Sequence, residues 1–450
     1  MKDALIIYTR SPAPGMVKTR LIPRLGKYGA ARLQRDMARH VIDIGLGLMR
    51  DIDVEIHQDA GDQAAIMCIC KGDIPVINQT EGDLGQRMLN SFYRSFKHEY
   101  KHVVLIGSDC PLITPQILLQ AFDLLDTYDC VLGPAEDGGY YLIGLKKPDK
   151  DLFTGIPWGG SRVFEETMAR VRSNGLAVST LETLPDIDRP EDIQIWEEIY
   201  KREIPSISVI IPSLNEAGTI VETLKHLQGG TNIEPIVVDG TSKDQSSRSA
   251  KDHGAFVIQT EPCRAKQMNV GAQHASGEIL FFLHADTSLP TGFDRYIRQS
   301  LADPRNIAGS FGLRFDKKSL RLNIIETGAN LRSRYLQLPY GDQGIFLRKA
   351  DFQALGGFPE VPIMEDFAFI TALKKQGIIV TLPQKIITSA RRFEQLGVMH
   401  ACLINQFVIM SYLKGADPVK IAGLYRSHMG VIKWLGFLCG IIRGKCLNSK

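Results

Sequence analysis

Asp286 follows an apolar segment that ends abruptly. In ILFFLHADT, which begins at Ile279, only His284 and Ala285 separate this aspartate from a run of Ile, Leu and Phe. Such a run is typical of a strand that is buried on both faces, and open α/β sheets bind ligands at the carboxyl ends of their strands. A carboxylate at that point can hold a divalent cation on a phosphate-rich ligand. Asp286 is therefore a candidate metal ligand.

Three more loops of the same half carry polar groups. Asn215 and Glu216 follow ISVIIP, Asp239 ends EPIVVDG, and Arg264 and Lys266 lie in the segment CRAKQMNVGA. The two cations are suited to neutralising phosphate, but they can equally be solvated surface charges. Asn and Asp at strand-to-helix turns commonly cap helices, so capping alone is a sufficient reason for Asn215.

A fourth loop ends in Glu365 and Asp366, directly before the helical segment FAFITALKKQG. Acidic residues in a first helical turn are favoured by the helix dipole, which needs no function. A carboxylate that faces a bound donor can also act as the general base on an acceptor hydroxyl. Both interpretations stay open on the residues alone.

Composition limits the elements that position these residues. The chain has 450 residues, 44% of them hydrophobic and 23% charged, which is enough for two or three domains with their own cores. A net charge of +3 is too small to indicate a nucleic-acid partner. The eight cysteines show no C-x-x-C spacing, so we expect reduced thiols, no structural metal and a cytoplasmic protein.

The chain repeats one design. Residues 102–122 and 278–297 each contain an apolar strand, an aspartate, and a Leu and Pro turn that opens a helix, so that Asp109 corresponds to Asp286. Farther on, EDGGYYLIGL (136–145) and YGDQGIFLRK (340–349) are each an Asp and Gly loop running into an apolar strand. Short α/β fragments can match by chance, but the same order in both halves favours two related domains.

The boundary between the domains is marked by a charged helical segment at 186–206 that ends in Pro and Ser. Strands alternate with helical stretches in each half, which predicts an α/β fold with mostly parallel sheets. We predict domains at 1–200 and 206–395, followed by a helical tail at 396–450.

The second domain resembles family 2 glycosyltransferases of the GT-A fold. The resemblance rests on six segments in one order: SVIIPSLNE, VVDGTSKD, RAKQMNVGA, FLHADT, YGDQGIFLRK and IMEDF. It implies transfer of a sugar from a nucleotide-sugar to an acceptor hydroxyl, with inversion. The acceptor would be a small molecule or a lipid-linked molecule. It also implies Mg²⁺ or Mn²⁺ on the donor diphosphate.

The resemblance implies a role for each matching residue. Asp286, with His284, would hold the metal, although His284 stands where the family has a first acid and is a poorer ligand for a hard cation. Asp366, beside Glu365, would be the base. Residues implied in donor binding are Pro212, Asn215, Glu216, Asp239, Arg264, Lys266, Asp342 and Gln343.

A further family segment, Gln-x-x-Arg-Trp, has only a partial counterpart here. The sequence SARRFEQLG supplies Arg391 and Arg392 without the tryptophan. Either arginine can still stabilise a leaving diphosphate, because that stabilisation is mostly electrostatic.

The first domain resembles bacterial relatives of sugar-nucleotide and molybdenum-cofactor nucleotidyltransferases, in PAPGMVKTRL, LIGSDCPLIT, GPAEDGGYYLIGL and LPDIDRPEDI. The resemblance implies that a loop with Lys18 and Arg20 grips a nucleotide and that Asp109 and Asp188 hold its metal. Asp137 is suited to binding sugar hydroxyls, although its neighbouring glycines could simply form a turn. No P-loop or G-x-G-x-x-G motif is present.

The role of this domain stays open between two alternatives. One is a nucleotidyltransferase that makes the activated sugar for its neighbour, and the other is a non-catalytic nucleotide-binding domain. The fusion resembles bacterial proteins assigned to arsenosugar biosynthesis, but nothing in the residues themselves indicates arsenic.

The tail contains an apolar stretch of only about a dozen residues, well short of the ~20 that span a bilayer. We expect either an interfacial helix at the inner face of the membrane or an amphipathic helix packed on the catalytic domain. The residues on which this expectation rests are Arg426, Lys433, Trp434, Phe437, Arg443 and Lys445.

Overall fold

The structure is a computed structural model that describes residues 2–49, 52–59, 61–67, 69–70, 74–202 and 204–426. The chain divides into two compact units, Met1–Arg202 and Glu203–Lys450. The tail residues Lys433, Trp434, Phe437, Arg443 and Lys445 lie outside the described residues, as does the side chain of Arg426.

The first unit is a mixed sheet with helices. Its strands are β1 (Asp3–Thr9), β2 (Ile52–Gln58), β3 (Val76–Asn78), β4 (Val103–Gly107), β5 (Cys130–Pro134), β6 (Tyr140–Leu145) and β7 (Val178–Thr180). Its helices are α1 (Ile22–Leu46), α2 (Gln63–Met67), α3 (Leu84–Phe96), α4 (Pro115–Thr127), α5 (Val163–Ser173) and α6 (Ile193–Arg202). The strand order is β3-β2-β1-β4-β6-β5-β7, and only β6 runs antiparallel to its neighbours.

The second unit has the same organisation. Its strands are β8 (Ile207–Ser213), β9 (Ile233–Asp239), β10 (Phe256–Gln259), β11 (Ile279–Phe282), β12 (Thr287–Ser288), β13 (Asn306–Phe315), β14 (Ile345–Arg348) and β15 (Ile378–Thr388). Its helices are α7 (Ile220–Leu227), α8 (Ser246–Asp252), α9 (Arg264–His274), α10 (Phe293–Ala302), α11 (Leu320–Leu336), α12 (Lys349–Ala354), α13 (Glu365–Leu373), α14 (Arg391–Leu396), α15 (Val398–Leu413) and α16 (Pro418–Arg426).

The two sheets correspond strand for strand. The second sheet has the order β10-β9-β8-β11-β14-β13-β15, extended by the short β12. Its antiparallel strand β14 takes the place of β6, and the other main pairings are parallel. Asp109 follows β4 and Asp286 follows β11, which are equivalent strands. The predicted fold class of two mostly parallel α/β domains with a helical C-terminal region is confirmed.

Each sheet is buried on both faces, which is why its central strands read as continuous apolar runs. In β1, Leu5 and Ile7 belong to one core and Ala4 and Ile6 to the other, because alternate residues of a strand point to opposite faces. The four residues of β11 are likewise all buried. The residues beyond these strand ends are left free to bind ligands.

The C-terminal helix α15 is apolar over its whole length. It contains no Asp, Glu, Lys or Arg. Ile404, Phe407 and Val408 are buried on its inner side, whereas Met399 and Leu413 are exposed. Of the helices that the structure describes, none has the length and apolar character needed to cross a bilayer.

Candidate active site

A cavity of about 480 Å³ lies at the carboxyl ends of β8 and β11 in the second unit. Pro212 lines it from the end of β8 and Glu216 from the turn that follows. His284 and Asp286 line it from the turn after β11, and Arg264 from the start of α9. Parallel strands bring their carboxyl ends to one edge of the sheet, which is why these distant segments meet. The structure thus brings five predicted site residues to one cavity.

Three charged side chains meet beside this cavity. The Arg391 Nη2 atom lies 3.1 Å from both Oε atoms of Glu216 and 3.9 Å from Oδ2 of Asp286. Burial, followed by the nearby Glu216 carboxylate, raises the pKa of Asp286, although Arg391 opposes this. Two carboxylates that share one half-exposed guanidinium retain a local excess of negative charge, which favours an added cation.

A divalent cation fits this pair of carboxylates. Mg²⁺ is commonly held by one or two carboxylates, with water and substrate phosphate completing its coordination. Asp286, with Glu216 beside it, provides that donor set. Within the described ranges, no group of three or more His, Cys, Asp or Glu side chains is arranged to hold a metal. Water and substrate phosphate would therefore have to supply the other ligands.

His284 is poorly suited to the metal role that was predicted for it. Its Nε2 atom and the Nη2 atom of Arg264 both lie against Gly341, at 3.2 and 2.8 Å from the point where a Cβ on that glycine would stand. Burial, and then the Arg264 guanidinium, lower the pKa of His284 well below its usual value, so the ring is neutral. The same guanidinium opposes a second cation on this nitrogen. Nε2 is buried and has no hydrogen-bond partner among the described residues.

Asp366 and Glu365 open α13 on the other side of Gly341. The Gly341 N–H donates to Oδ2 of Asp366 at 2.9 Å, and Arg264 Nε lies 3.6 Å from Oε1 of Glu365. Burial above all raises the pKa of Glu365, against the opposing charge of Arg264. The contact between Gly341 and Asp366 was not predicted from the sequence, although the loop PYGDQG was noted as part of the repeat.

A second cavity of about 400 Å³ lies on the Asp366 side. Arg264 and His284 line both cavities, so they stand between them. The far wall is largely apolar and comes from the C-terminal helices, through Val408 on α15 and Tyr425 on α16. The acidic pair therefore faces a separate compartment from Asp286.

Asp239 and Asn215 shape the loops of the first cavity from behind. The fully buried Asp239 carboxylate accepts the Ser242 N–H at 3.0 Å, and the Asn215 N–H donates to the Ser242 hydroxyl at 2.8 Å. The Asn215 amide oxygen in turn accepts the Lys243 N–H at 2.9 Å. Neither side chain caps a helix, because α7 and α8 begin after Thr219 and Gln245. The bonds instead join the turn after β8 to the turn after β9 and fix their positions.

Two residues that were predicted to bind the donor point elsewhere. The Gln343 side chain is fully buried, and its amide donates to the Phe311 carbonyl at 3.1 Å and to the Ser333 hydroxyl at 2.9 Å. Lys266 pairs with Glu261 at 2.9 Å on the surface of α9. Gln343 is therefore a core residue that anchors the loop before β14, and Lys266 is engaged as a surface charge.

Asp342 differs from its neighbour Gln343, because it lines the second cavity. Its Oδ1 atom is buried and has no hydrogen-bond partner in the described part of the chain. Burial raises the pKa of Asp342, and the nearby Arg332 partly offsets this rise.

The backbone of Arg392, which was also predicted as a site residue, lies in α14, but its side chain is outside the described residues.

The first unit has its own cavity, of about 290 Å³, at the carboxyl ends of β1 and β4. Asp109, Asp137 and Asp188 line it, and Lys18 lies between two of them. Lys18 Nζ is 3.1 Å from Oδ1 of Asp109 and 3.0 Å from Oδ1 of Asp188, and Arg20 also contacts Asp188 at 3.3 Å. All five residues predicted for this unit are thus neighbours.

Charge interactions in this cluster oppose the effect of burial on Lys18. Burial alone would lower the pKa of Lys18, but the Asp109 and Asp188 carboxylates outweigh burial and raise that pKa. Burial would likewise raise the pKa of Asp188, but Lys18 outweighs it and lowers that pKa. The lysine is therefore an ammonium and Asp188 a carboxylate at neutral pH.

Asp186 and Trp158 line the same cavity and were not predicted from the sequence. Burial, then Asp137 and Asp188, raise the pKa of Asp186 to about 6. The spacing of two acids in LPDIDRP was the available signal, because alternate residues of an extended segment share a side. For Trp158 we find no such signal.

Gly138, one of the two glycines that follow Asp137, packs closely against backbone. Its φ is 89°, and a Cβ on it would stand 1.9 Å from the Ser161 carbonyl oxygen. The turn interpretation is therefore correct for this glycine.

Comparison with known proteins gives a match for each unit. Residues 208–355 match the glycosyl transferase family 2, and residues 46–160 match DUF2064, a family of uncharacterized proteins conserved in bacteria. A glucosyl-3-phosphoglycerate synthase of Mycolicibacterium smegmatis is 39% identical over 79 residues, which is 17% of this chain and 25% of that protein. An uncharacterized glycosyltransferase of Mycobacterium tuberculosis is 38% identical over 88 residues, 18% of this chain and 34% of that protein.

Among solved structures, one described as a candidate nucleotide-diphospho-sugar transferase from Desulfovibrio desulfuricans is 32% identical. It covers 45% of this chain and 88% of that one, with a TM-score of 0.41. The matches to the two curated relatives span only about a quarter to a third of their length.

Both units are α/β domains with mostly parallel sheets, each with a cavity at the carboxyl ends of its strands. The second unit contains a glycosyl transferase family 2 domain, and the first contains a DUF2064 domain.

Proposed function

We propose that the second unit transfers a sugar from a nucleotide-sugar to an acceptor hydroxyl, with inversion and with the help of Mg²⁺ or Mn²⁺. The observation that carries this proposal is the pair of cavities on either side of Arg264 and His284. One contains the Asp286 carboxylate, which suits a metal-bound diphosphate, and the other contains Asp366, which suits an acceptor. The family match of the second unit supports the same chemistry.

Donor binding rests on charges around the first cavity. Asp286 and Glu216 provide the oxygen ligands for a divalent cation, which when bound neutralises the diphosphate and makes it a better leaving group. Arg391 lies within 4 Å of both carboxylates, where it can also contact diphosphate oxygens. Arg264 supplies a second positive charge at the boundary between the cavities. Stabilisation of a leaving diphosphate is mainly electrostatic, so fixed cations of this kind carry much of the effect.

Asp366 is the general base of the proposal. The N–H groups of Gly341 and Phe367 donate to its two oxygens at 2.9 and 2.7 Å, which fixes the orientation of the carboxylate. A carboxylate held in this way can accept the proton of an acceptor hydroxyl as that oxygen attacks the sugar carbon opposite the diphosphate. The attack from the opposite side inverts the configuration at that carbon. Glu365, held by Arg264, helps to position the neighbouring Asp366.

The acceptor is expected to carry an apolar part. Val408, Ile409 and Ala422 contribute to the wall of the second cavity facing Asp366. Both a small apolar alcohol and a lipid-linked acceptor at the inner face of the membrane satisfy this wall, and the apolar helix α15 would lie beside either of them. The cytoplasmic location expected from the sequence is part of this proposal and does not follow from the cavity wall.

The proposal is tested with a panel of nucleotide-sugars in the presence of Mn²⁺. Donor binding is measured by thermal shift and turnover by release of nucleoside diphosphate. Asp286→Ala is expected to lose both, whereas Asp366→Asn is expected to keep binding and to lose about 10²–10⁴-fold in turnover. Asp109→Ala is the matched control, because it removes the equivalent aspartate of the first unit. If Asp109→Ala loses turnover while Asp286→Ala retains it, the proposal is wrong.

The cavity of the first unit supports a second candidate, which is ligand binding by that unit. A nucleotidyltransferase would join a sugar phosphate to the α-phosphate of a nucleoside triphosphate and release pyrophosphate. Asp188→Ala would lose this activity. A binding domain would bind without turnover.

A further inference from the structure

The equivalent strand ends of the two units differ in what balances their aspartate. Among the described residues, the ion-pair partner of Asp286, after β11, is Arg391 at 3.9 Å, and Asp286 shares that guanidinium with Glu216. Asp109, after β4, has the Lys18 ammonium at hydrogen-bond distance. The two sheets have the same strand order, so these are two solutions at one position of the fold.

Lys18 is held in place from several sides. Its Nζ atom lies 3.1 Å from Asp109, 3.0 Å from Asp188 and 2.6 Å from the Ile187 carbonyl oxygen. Its side chain is only 4% exposed, although both carboxylates reach solvent. The lysine backbone has a φ of 45°, in the left-handed region that residues with a side chain rarely adopt. An unfavourable backbone conformation of this kind persists only when the surrounding contacts impose it.

The ammonium takes the position that a divalent cation shared by the Oδ1 atoms of Asp109 and Asp188 would occupy. Mg²⁺ there would lie about 2.0–2.1 Å from an oxygen of each. The Lys18 Nζ atom already occupies the space between those oxygens, and like charges cannot share it. The metal role that the resemblance implies for Asp109 and Asp188 therefore does not fit the residues present.

We infer that Lys18 is a built-in cation that replaces a divalent metal in the first unit, which consequently binds its ligand without one. Nucleotidyl transfer depends on metal ions that bridge the phosphates. Five aspartates line this cavity against two arginines, and Lys18 adds one positive charge beside it, so the lining stays net negative and without a metal does not suit a triphosphate. The inference therefore weighs against nucleotidyl transfer and leaves ligand binding as the role of the first unit. It does not depend on the function proposed for the second unit.

The test measures Mn²⁺ binding to the full chain by the loss of the free Mn²⁺ electron paramagnetic resonance signal. Asp286→Ala serves as the parent, because it removes the metal ligand of the second unit. Lys18→Met in this parent is expected to gain Mn²⁺ binding, more than about tenfold tighter, because a like charge at hydrogen-bond distance is removed. Lys18→Arg is the matched control, which keeps the charge and should show no gain.

Two results would overturn the inference. One is a folded Lys18→Met variant, shown by its melting transition, that binds Mn²⁺ no better than the parent. The other does not require that variant to fold: the parent, with Lys18 intact, binds Mn²⁺ and loses it on Asp109→Asn or Asp188→Asn. A gain of Mn²⁺ binding in Lys18→Met that disappears on adding Asp188→Asn supports it.

Discussion

Gly341 lies against Arg264, His284 and Asp366, and a single methyl group there should reduce turnover. A Cβ on this residue would stand 2.8 Å from Nη2 of Arg264, 3.2 Å from Nε2 of His284 and 3.4 Å from Oδ2 of Asp366. The backbone of Gly341 is not in the left-handed region, so alanine meets no conformational penalty. The effect of Gly341→Ala is therefore expected to arise from these three side chains.

The size of the effect follows from the closest contact. The Arg264 guanidinium must retreat by about 0.6 Å to reach an ordinary contact distance of 3.4 Å. Because the moving group is the end of a flexible side chain, we expect a loss of stability of about 1 kcal/mol or less. Displacements of this order in a catalytic group cost about 10–100-fold in rate, or about 1.4–2.7 kcal/mol of transition-state stabilisation. Gly341→Ala should therefore lower turnover clearly while changing the stability of the protein only a little.

The assay compares kcat/KM for release of nucleoside diphosphate with the melting temperature of the same preparation. Gly328→Ala, within α11, is the matched control, because no atom lies within 4 Å of its added Cβ. That variant should keep its turnover and gain about 0.5–1 kcal/mol of stability from a better helix former. Parental turnover in Gly341→Ala would refute the placement of the reacting groups around this glycine. A large drop in melting temperature would instead show that Gly341 is required by the fold.

Three further predictions follow from individual contacts. Gln343→Met should destabilise the protein by about 1–3 kcal/mol, because it leaves buried groups unpaired, while KM for the donor stays unchanged in steady-state assays. Asp186→Asn should melt at a higher temperature than the parent at pH 7 but not at pH 4. Burial raises the pKa of Asp186 in the parent to about 6, so the folded parent loses stability as pH rises from about 4 through 6. The loss is about 1 kcal/mol once solvent screening is allowed for. Arg391→Met should raise KM for the donor about tenfold, because it removes the positive charge that contacts both Glu216 and Asp286. Arg391→Lys should restore part of the loss, because it keeps that charge on a shorter side chain. An equal KM in all three proteins would contradict the role of Arg391.

Much of the fold could be predicted from the sequence because strand burial leaves a direct signal. The apolar runs of β4 and β11 identify strands buried on both faces, and their shared Asp and Pro turn identifies the repeat. The reversed direction of β6 and β14 could not be predicted, because periodicity shows that a segment is a strand but not which way it runs. The two loops preceding them were nevertheless recognised as equivalent.

Site residues could be predicted where they directly follow strands. They were harder to predict where burial determines whether a side chain faces a cavity or the core. Asp286, Glu216 and Asp366 are found at cavities because strand ends and helix starts expose them. Gln343 lies one residue from Asp342 and faces the core instead, a difference set by the short 3-10 turn over Gly341–Gln343 that no local pattern reveals. The contact partners of Lys18 were equally inaccessible, because it meets residues about 90 and 170 positions away.

The two units show how one fold can meet the same electrostatic requirement in two ways. Both place an aspartate beyond the fourth strand of the sheet order, at the edge where ligands bind. In the second unit the cation that contacts this aspartate among the described residues, Arg391, lies on a separate helix and is half exposed, an arrangement compatible with the proposed metal and diphosphate. In the first unit Lys18 comes from the loop after β1 and fills that room itself. A loop residue thus decides whether the strand-end aspartate is available to a metal, and the aspartate alone does not identify a metal site.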